Sequence, residues 1–187
     1  MKGLVFNALN TLVEEKFGLR LWDSVLKQVN PPNGGAYSGV QTYPDEQLFA
    51  LVQALSEQTQ TPVNSLIRVF GHYLFGVLIQ RYPHFREEGQ SLKDFLKSVE
   101  AAIHIEVKKL FPDSLTPRFD YEDPSPDKLV MIYSSPRQLC ALAEGLFEGA
   151  SSHFNEPLTV VQSHCTHKGD EDCRFELTFG PSDDTQS

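Results

Sequence analysis

Residues 128–137 read Lys-Leu-Val-Met-Ile-Tyr-Ser-Ser-Pro-Arg, and residues 138–154 continue QLCALAEGLFEGASSHF. The first seven residues are rich in branched, aromatic and long apolar side chains and predict a strand over Lys128–Ser134. Serine followed by proline is a helix-start signal, with Ser135 as cap and Pro136 in the first turn. The predicted helix covers about Pro136–Phe154. Strand-like runs lie on either side, at Arg118–Asp123 before the stretch and at Glu156–Cys165 and Cys173–Phe179 after it. This half of the chain therefore reads β,β,α,β,β, a four-stranded antiparallel sheet with one helix.

The residues before it carry a helical period instead. Leu4, Val5, Leu9, Leu12 and Val13 mark one helix, and Leu19–Val29 is a second. Asn30–Tyr43, with Pro31, Pro32, Gly34, Gly35 and Gly39, is a loop. Pro44–Thr59 is helical, with Leu48, Leu51, Val52 and Leu55 on one side. Thr61-Pro62 resembles a cap and first turn for a helix reaching about Arg81, with Gly71 and Gly76 as candidate break points. Ser91 and Asp94 resemble a capping box, opening a helix to Leu110 that stops before Pro112. The expected fold class is α+β: a helical half (1–111) packed on a smaller α/β half (112–180), with a crevice between them. The polar residues 181–187 are expected to form a flexible tail.

The 187 residues carry a formal net charge of −9, which phosphate backbones repel, so nucleic acid is not an expected partner. No apolar run approaches the roughly 20 residues of a membrane span, and the opening residues do not read as a signal peptide. A cytoplasmic location follows as the expectation. The odd count of three cysteines then points to metal binding or plain burial rather than to disulfides.

Three sets of residues could carry chemistry. His104 lies in VEAAIHIEVKKLFPD, with Ala101 and Val107 one turn away and Leu96, Val99, Ile103 and Leu110 on the adjoining apolar face. A neutral imidazole there is a good iron ligand. It is equally a boundary histidine bonded to a carboxylate or carbonyl. Tyr133, Ser135 and Arg137 form the second set. Capping accounts for Ser135 but not for a tyrosine on the same strand face or for an arginine beside a helix start, which together suit a ligand bearing carboxylates. Cys140, Cys165 and Cys173 form the third. Two of them bracket CTHKGDEDC, with His164 and His167 close by, a donor set that fits tetrahedral zinc as well as incidental burial. The fourth ligand stays open between His167, which shares a strand face with Cys165, and His164.

His104 and the YSSPR motif together resemble the H-NOX (haem nitric oxide/oxygen binding) family, related to the haem domain of soluble guanylate cyclase. The likeness extends to the opening MKGLVFNAL, to HIEVKKLFP, to Pro117 thirteen residues after the histidine, and to LCALAEGLFEGASSHF. It implies a haem b cofactor, with His104 as axial iron ligand and with Tyr133, Ser135 and Arg137 on the propionates. Pro117 would press on and distort the porphyrin. Some bacterial members carry a zinc site built from such Cys and His residues. Oxygen-binding relatives have a distal tyrosine where this chain has Leu142, counted without gaps from Arg137, with Tyr73 as an alternative donor.

The resemblance implies a non-enzymatic sensor of nitric oxide that also binds carbon monoxide. Gas binding would break the bond to His104, let the haem flatten against Pro117 and turn the helical half on the β half. With no output segment in the sequence, the sensor would act on a separate protein such as a histidine kinase or a cyclic-di-GMP enzyme. A peroxidase-like haem enzyme and a haem carrier are the alternatives.

Overall fold

The computed structural model describes residues 1–180; the expected tail at 181–187 lies outside them. The helical half contains α1 (Gly3–Phe17), α2 (Leu19–Val29), α3 (Asp45–Thr59) and α4 (Val63–Arg81). A rod of α5 (Leu92–Ser98), a π-helical segment (Val99–Ile103) and α6 (His104–Leu110) follows. The remainder is β1 (Arg118–Ser125), β2 (Lys128–Ser134), α7 (Cys140–Phe154), β3 (Leu158–His164) and β4 (Cys173–Phe179). All pairings in the sheet are antiparallel and the strand order is β1-β2-β4-β3. The α+β expectation is met.

Period-2 burial explains the sheet's inner face. Leu129, Met131 and Tyr133 of β2 and Cys173, Phe175 and Leu177 of β4 are all buried, because alternate strand residues share a face. They form one core with α5, α7 and part of α4. A second core joins α1–α4 through Phe6, Trp22, Leu51 and Leu55. The seam between the halves is α4 against α7, and glycines set its spacing. A Cβ on Gly145 would stand 2.0 Å from the Arg68 carbonyl oxygen, and one on Gly71 2.4 Å from that of Leu142. Only a hydrogen fits at either position.

Several local expectations need correction. Gly71 and Gly76 do not break α4, which is continuous; Gly71 serves the seam instead. Thr61 is not the cap of α4, which begins after Pro62 without a side-chain cap. Ser91 does accept the Asp94 N–H at the start of α5. Ser135 and Pro136 do not open α7, which starts four residues later. Gln138 has φ 50°, a left-handed conformation that no helix continues through. The helix from Ser91 to Leu110 is one rod, but its hydrogen-bond pattern widens at Val99–Ile103.

Among the described residues, no single helix is long and apolar enough to cross a membrane.

Candidate functional site

The two halves enclose a cavity of about 360 Å³, within the range of small-molecule sites. Its walls come from α1 (Leu4, Val5), α4 (Phe75, Leu78, Ile79), the α5–α6 rod (Phe95, Leu96, Val99, Ile103, His104, Val107), residues 111–117, β2 and α7. Leu142, Ala143, Leu146 and Phe147 are the α7 contribution. The lining is mainly apolar, with polar groups confined to a few positions.

His104 opens α6 directly after the π segment. In a regular helix Ala101 would share its side. The extra residue of a π turn shifts that phase, so Ala101 is exposed and absent from the cavity wall. Glu100 stands beside His104 in its place. Glu100 Oε2 lies 2.9 Å from His104 Nδ1 and accepts the Phe119 N–H at 3.1 Å. The Glu100 N–H donates to Tyr121 Oη at 3.2 Å. Sequence reading missed this residue; its i−4 spacing from a histidine was the available signal. Nδ1 is thereby occupied, and Nε2 has no protein partner among the described residues. Burial pushes the imidazole pKa below its ordinary value, and the Glu100 carboxylate only partly opposes this. The ring is therefore neutral at physiological pH, the form that binds metals.

Tyr133, Ser135, Arg137, Pro117 and Leu142 line the same cavity. Tyr133 follows the buried face of β2. Its hydroxyl accepts the Leu139 N–H at 3.1 Å, and burial raises its pKa, so it remains a proton donor at neutral pH. Ser135 Oγ accepts the Arg137 N–H at 3.2 Å. The serine therefore caps a tight turn, and that turn, not a helix start, presents Arg137. The guanidinium donates from Nε to Asp45 Oδ2 (2.5 Å), from Nη2 to Asp45 Oδ1 (3.2 Å) and from Nη1 to the Leu115 carbonyl (2.5 Å). Asp45 Oδ1 also accepts from the Met1 amine at 2.6 Å. Arginine offers five N–H groups, so two remain for an incoming anion. Tyr73 packs with the helical core and does not line the cavity.

The residues fit a flat cofactor with acidic edges: a mainly apolar wall carries a neutral imidazole together with the Tyr133 and Ser135 hydroxyls and the Arg137 guanidinium.

The profile of the haem-NO-binding family matches residues 2–162. The chain belongs to that family. Its members are haem-binding gas-sensor domains, not enzymes, and haem is the cofactor of this H-NOX domain. Solved H-NOX structures agree over the whole fold. The Shewanella oneidensis protein in its Fe(II)NO state is 28% identical with a TM-score of 0.90, the match covering 96% of this chain and 99% of that one. The unliganded Fe(II) protein from K. algicida is 29% identical over 100% of both chains, with a TM-score of 0.90. The Shewanella woodyi protein, solved with IWP-051 in its Fe(II)CO state, is 33% identical with a TM-score of 0.85, covering 98% and 96%.

Away from the cavity, the Sγ atoms of Cys140, Cys165 and Cys173 lie within 4.8 Å of one another, all buried. The expected histidines do not join them. His167 Nε2 lies 2.8 Å from the Gln138 carbonyl oxygen, and exposed His164 pairs with Ser163. Burial, reinforced by Cys173, pushes the Cys140 thiol up to about 12.

Proposed function

We propose that this chain is a nitric oxide sensor, its single haem-binding domain spanning residues 1–180, that regulates a separate signalling protein. The observation that carries the reading is His104: a neutral imidazole on an apolar cavity, its Nδ1 held by Glu100 and its Nε2 without a partner among the described residues. Bound in the cavity, haem supplies a ferrous iron that takes up nitric oxide or carbon monoxide. His104 Nε2 would hold that iron. Tyr133, Ser135 and the two uncommitted N–H groups of Arg137 would hold the propionates, and Pro117 would bear on the porphyrin face and distort it.

The signalling step belongs to the protein. Release of His104 would free the α5–α6 rod, which is tied to β1 through Glu100 and Phe119. The helical half would then turn on the sheet half, and the changed surface would alter affinity for its partner. A histidine kinase or a cyclic-di-GMP enzyme is the class of partner we expect, with the cytoplasm as the setting. A peroxidase-like reading is disfavoured because α1, α4 and α7 supply the cavity with no side chain able to move a proton. A haem carrier is the other alternative, and facile reversible haem release would support it.

The test is the visible spectrum of the reduced protein with and without nitric oxide. A five-coordinate ferrous histidine haem that becomes a five-coordinate nitrosyl is expected. In His104→Gly the ferrous spectrum should be lost and restored by added imidazole. An unchanged His104→Gly spectrum would sink the reading.

We add a zinc proposal. The three clustered cysteines supply thiolate ligands once a cation offsets the cost of ionising them. His167, turned from Gln138, or His164 would complete the set. Protein purified without chelators should hold about one zinc per chain, lost in Cys173→Ser. Zinc-free protein would leave the cluster as buried thiols.

A further inference from the structure

Lys2 and Thr42 stand opposite each other in an antiparallel bridge. The Gly3 N–H donates to the Gln41 carbonyl at 2.9 Å and the Tyr43 N–H to the Met1 carbonyl at 2.8 Å, closing the bridge on both sides. The pairing is tight, since a Cβ on Gly3 would stand 2.0 Å from the Ser38 carbonyl oxygen. The start of α1 and residues 38–43 therefore form one strip. Asp113, between α6 and β1, reaches onto this strip with both carboxylate oxygens. Lys2 Nζ donates to Oδ1 at 2.7 Å, and the Thr42 hydroxyl donates to Oδ2. The same ammonium lies over the Phe111 ring, 5.0 Å from its centroid. Lys2 and Thr42 hold the Asp113 carboxyl down at about 2, so the tie is intact at neutral pH. All three residues line the cavity. Among the described residues of that lining, only Thr42, Asp113 and Leu115 are exposed, and the others are buried or half-buried. The cavity thus opens to solvent here, and the tie spans the opening.

We propose that Lys2, Thr42 and Asp113 form a latch across the cavity mouth, which opens for the cofactor to pass in or out. The proposal rests on the haem reading above. A porphyrin is rigid and cannot thread a mouth strapped by two hydrogen bonds; the strip and residues 111–117 must part first. Breaking the tie is a cost common to entry and exit. It therefore raises the barrier without changing the difference between the loaded and unloaded states. A latch slows both directions alike, whereas a group that holds the bound cofactor slows release alone.

Uptake and release are measured separately. Haem-free protein mixed with carbonmonoxy haem in a stopped-flow spectrometer gives the uptake rate, and loaded protein mixed with excess apomyoglobin gives the release rate. Asp113→Ala should raise both about fivefold, the upper end for one exposed ion pair, and leave their ratio within about twofold of wild type. Lys2→Ala and Thr42→Val should each raise both by less. Lys2→Ala combined with Asp113→Ala should be no faster than Asp113→Ala alone, because both remove one contact. Asp120→Asn breaks an exposed pair with Arg118, 3.0 Å long and away from the cavity lining, and should keep wild-type rates. Faster release with unchanged uptake in Asp113→Ala would show that the carboxylate acts on the bound cofactor and would overturn the latch. So would wild-type rates in both directions, or equal acceleration in Asp120→Asn, which marks a general loosening. If wild type takes up no haem, the functional reading falls and the latch with it.

Discussion

Glu100 Oε2 bridges His104 Nδ1, at 2.9 Å, and the Phe119 N–H, at 3.1 Å, so one carboxylate fixes the histidine ring against the first strand of the sheet. A metal-bound histidine is oriented, and made more basic, by the acceptor on its other nitrogen. Glu100→Ala should therefore lower the iron–histidine stretching frequency of the ferrous protein and weaken haem retention about tenfold, the lower end of such effects. Glu100→Gln should fall between, since an amide oxygen still accepts. A resonance Raman band unmoved in Glu100→Ala would show that the contact does not act on the ligand.

The glycine seam gives a stability test with an internal control. A Cβ on Gly145 would meet the Arg68 carbonyl oxygen at 2.0 Å, whereas one on Gly76 would meet nothing within 4 Å. Gly145→Ala must push α7 away from α4 and should cost about 3 kcal/mol. Gly76→Ala removes a flexible residue from the same α4 helix and should gain up to about 1 kcal/mol. Urea unfolding measures both, and equal midpoints for the two variants would contradict close packing at the seam.

Asp45 and Arg137 tie the helical half to the sheet half in a pH-dependent way. Burial alone would raise the Asp45 pKa, but hydrogen bonds from Arg137 and the Met1 amine outweigh it and hold it below 3.8. A carboxylate depressed in the folded state contributes stability above its unfolded value and loses it as pH falls through the lower folded value. Asp45→Asn should thus cost about 1 kcal/mol at neutral pH. That figure is a charge-assisted bond discounted because the two side chains are 23% and 18% exposed. Melting curves of wild type and variant should draw together as pH falls below the ordinary carboxylate pKa and converge below the depressed folded value; a constant gap down to strong acid would assign the effect to packing.

Leu142 sets the expected gas preference. It lines the cavity and offers no hydrogen-bond donor, while Tyr73 lies outside the lining. Bound oxygen needs a donor, worth about one to two decades of affinity, and nitric oxide does not. Reduced protein in air-saturated buffer should form no lasting oxygen complex, and Leu142→Tyr should prolong one. A persistent complex in wild type would show that another donor reaches the ligand.

The strands were the most legible part of the chain. Lys128–Ser134 and Cys173–Phe179 have the bounds that alternation suggests, because period-2 burial against one helix leaves a direct trace in sequence. The residues of the cavity wall were found from residue type: His104, Tyr133, Ser135 and Arg137 stood out as chemistry that packing does not require. What escaped was phase and pairing. Nothing in VEAAI announces a π turn, so Ala101 took the place that Glu100 holds. Ser135-Pro136 has the composition of a helix start, yet the left-handed Gln138 delays α7 and turns the same residues into a presenting turn. Asp45 reads as an ordinary first-turn acid on α3, and its partner Arg137 is 92 residues away.

The π segment at Val99–Ile103 amounts to an α-helix with one residue inserted. Each helical residue turns the chain by about 100°. Deleting any one of these five residues would restore regular α-helical hydrogen bonding and leave both flanking helices intact. His104 and the rest of α6 would nevertheless rotate by that angle relative to α5, carrying the imidazole off the cavity and away from β1. A loss of the codon for Ala101 or Ala102 would turn His104 off the cavity with no residue of the original wall mutated. The insertion thus acts as the phase setting of the domain.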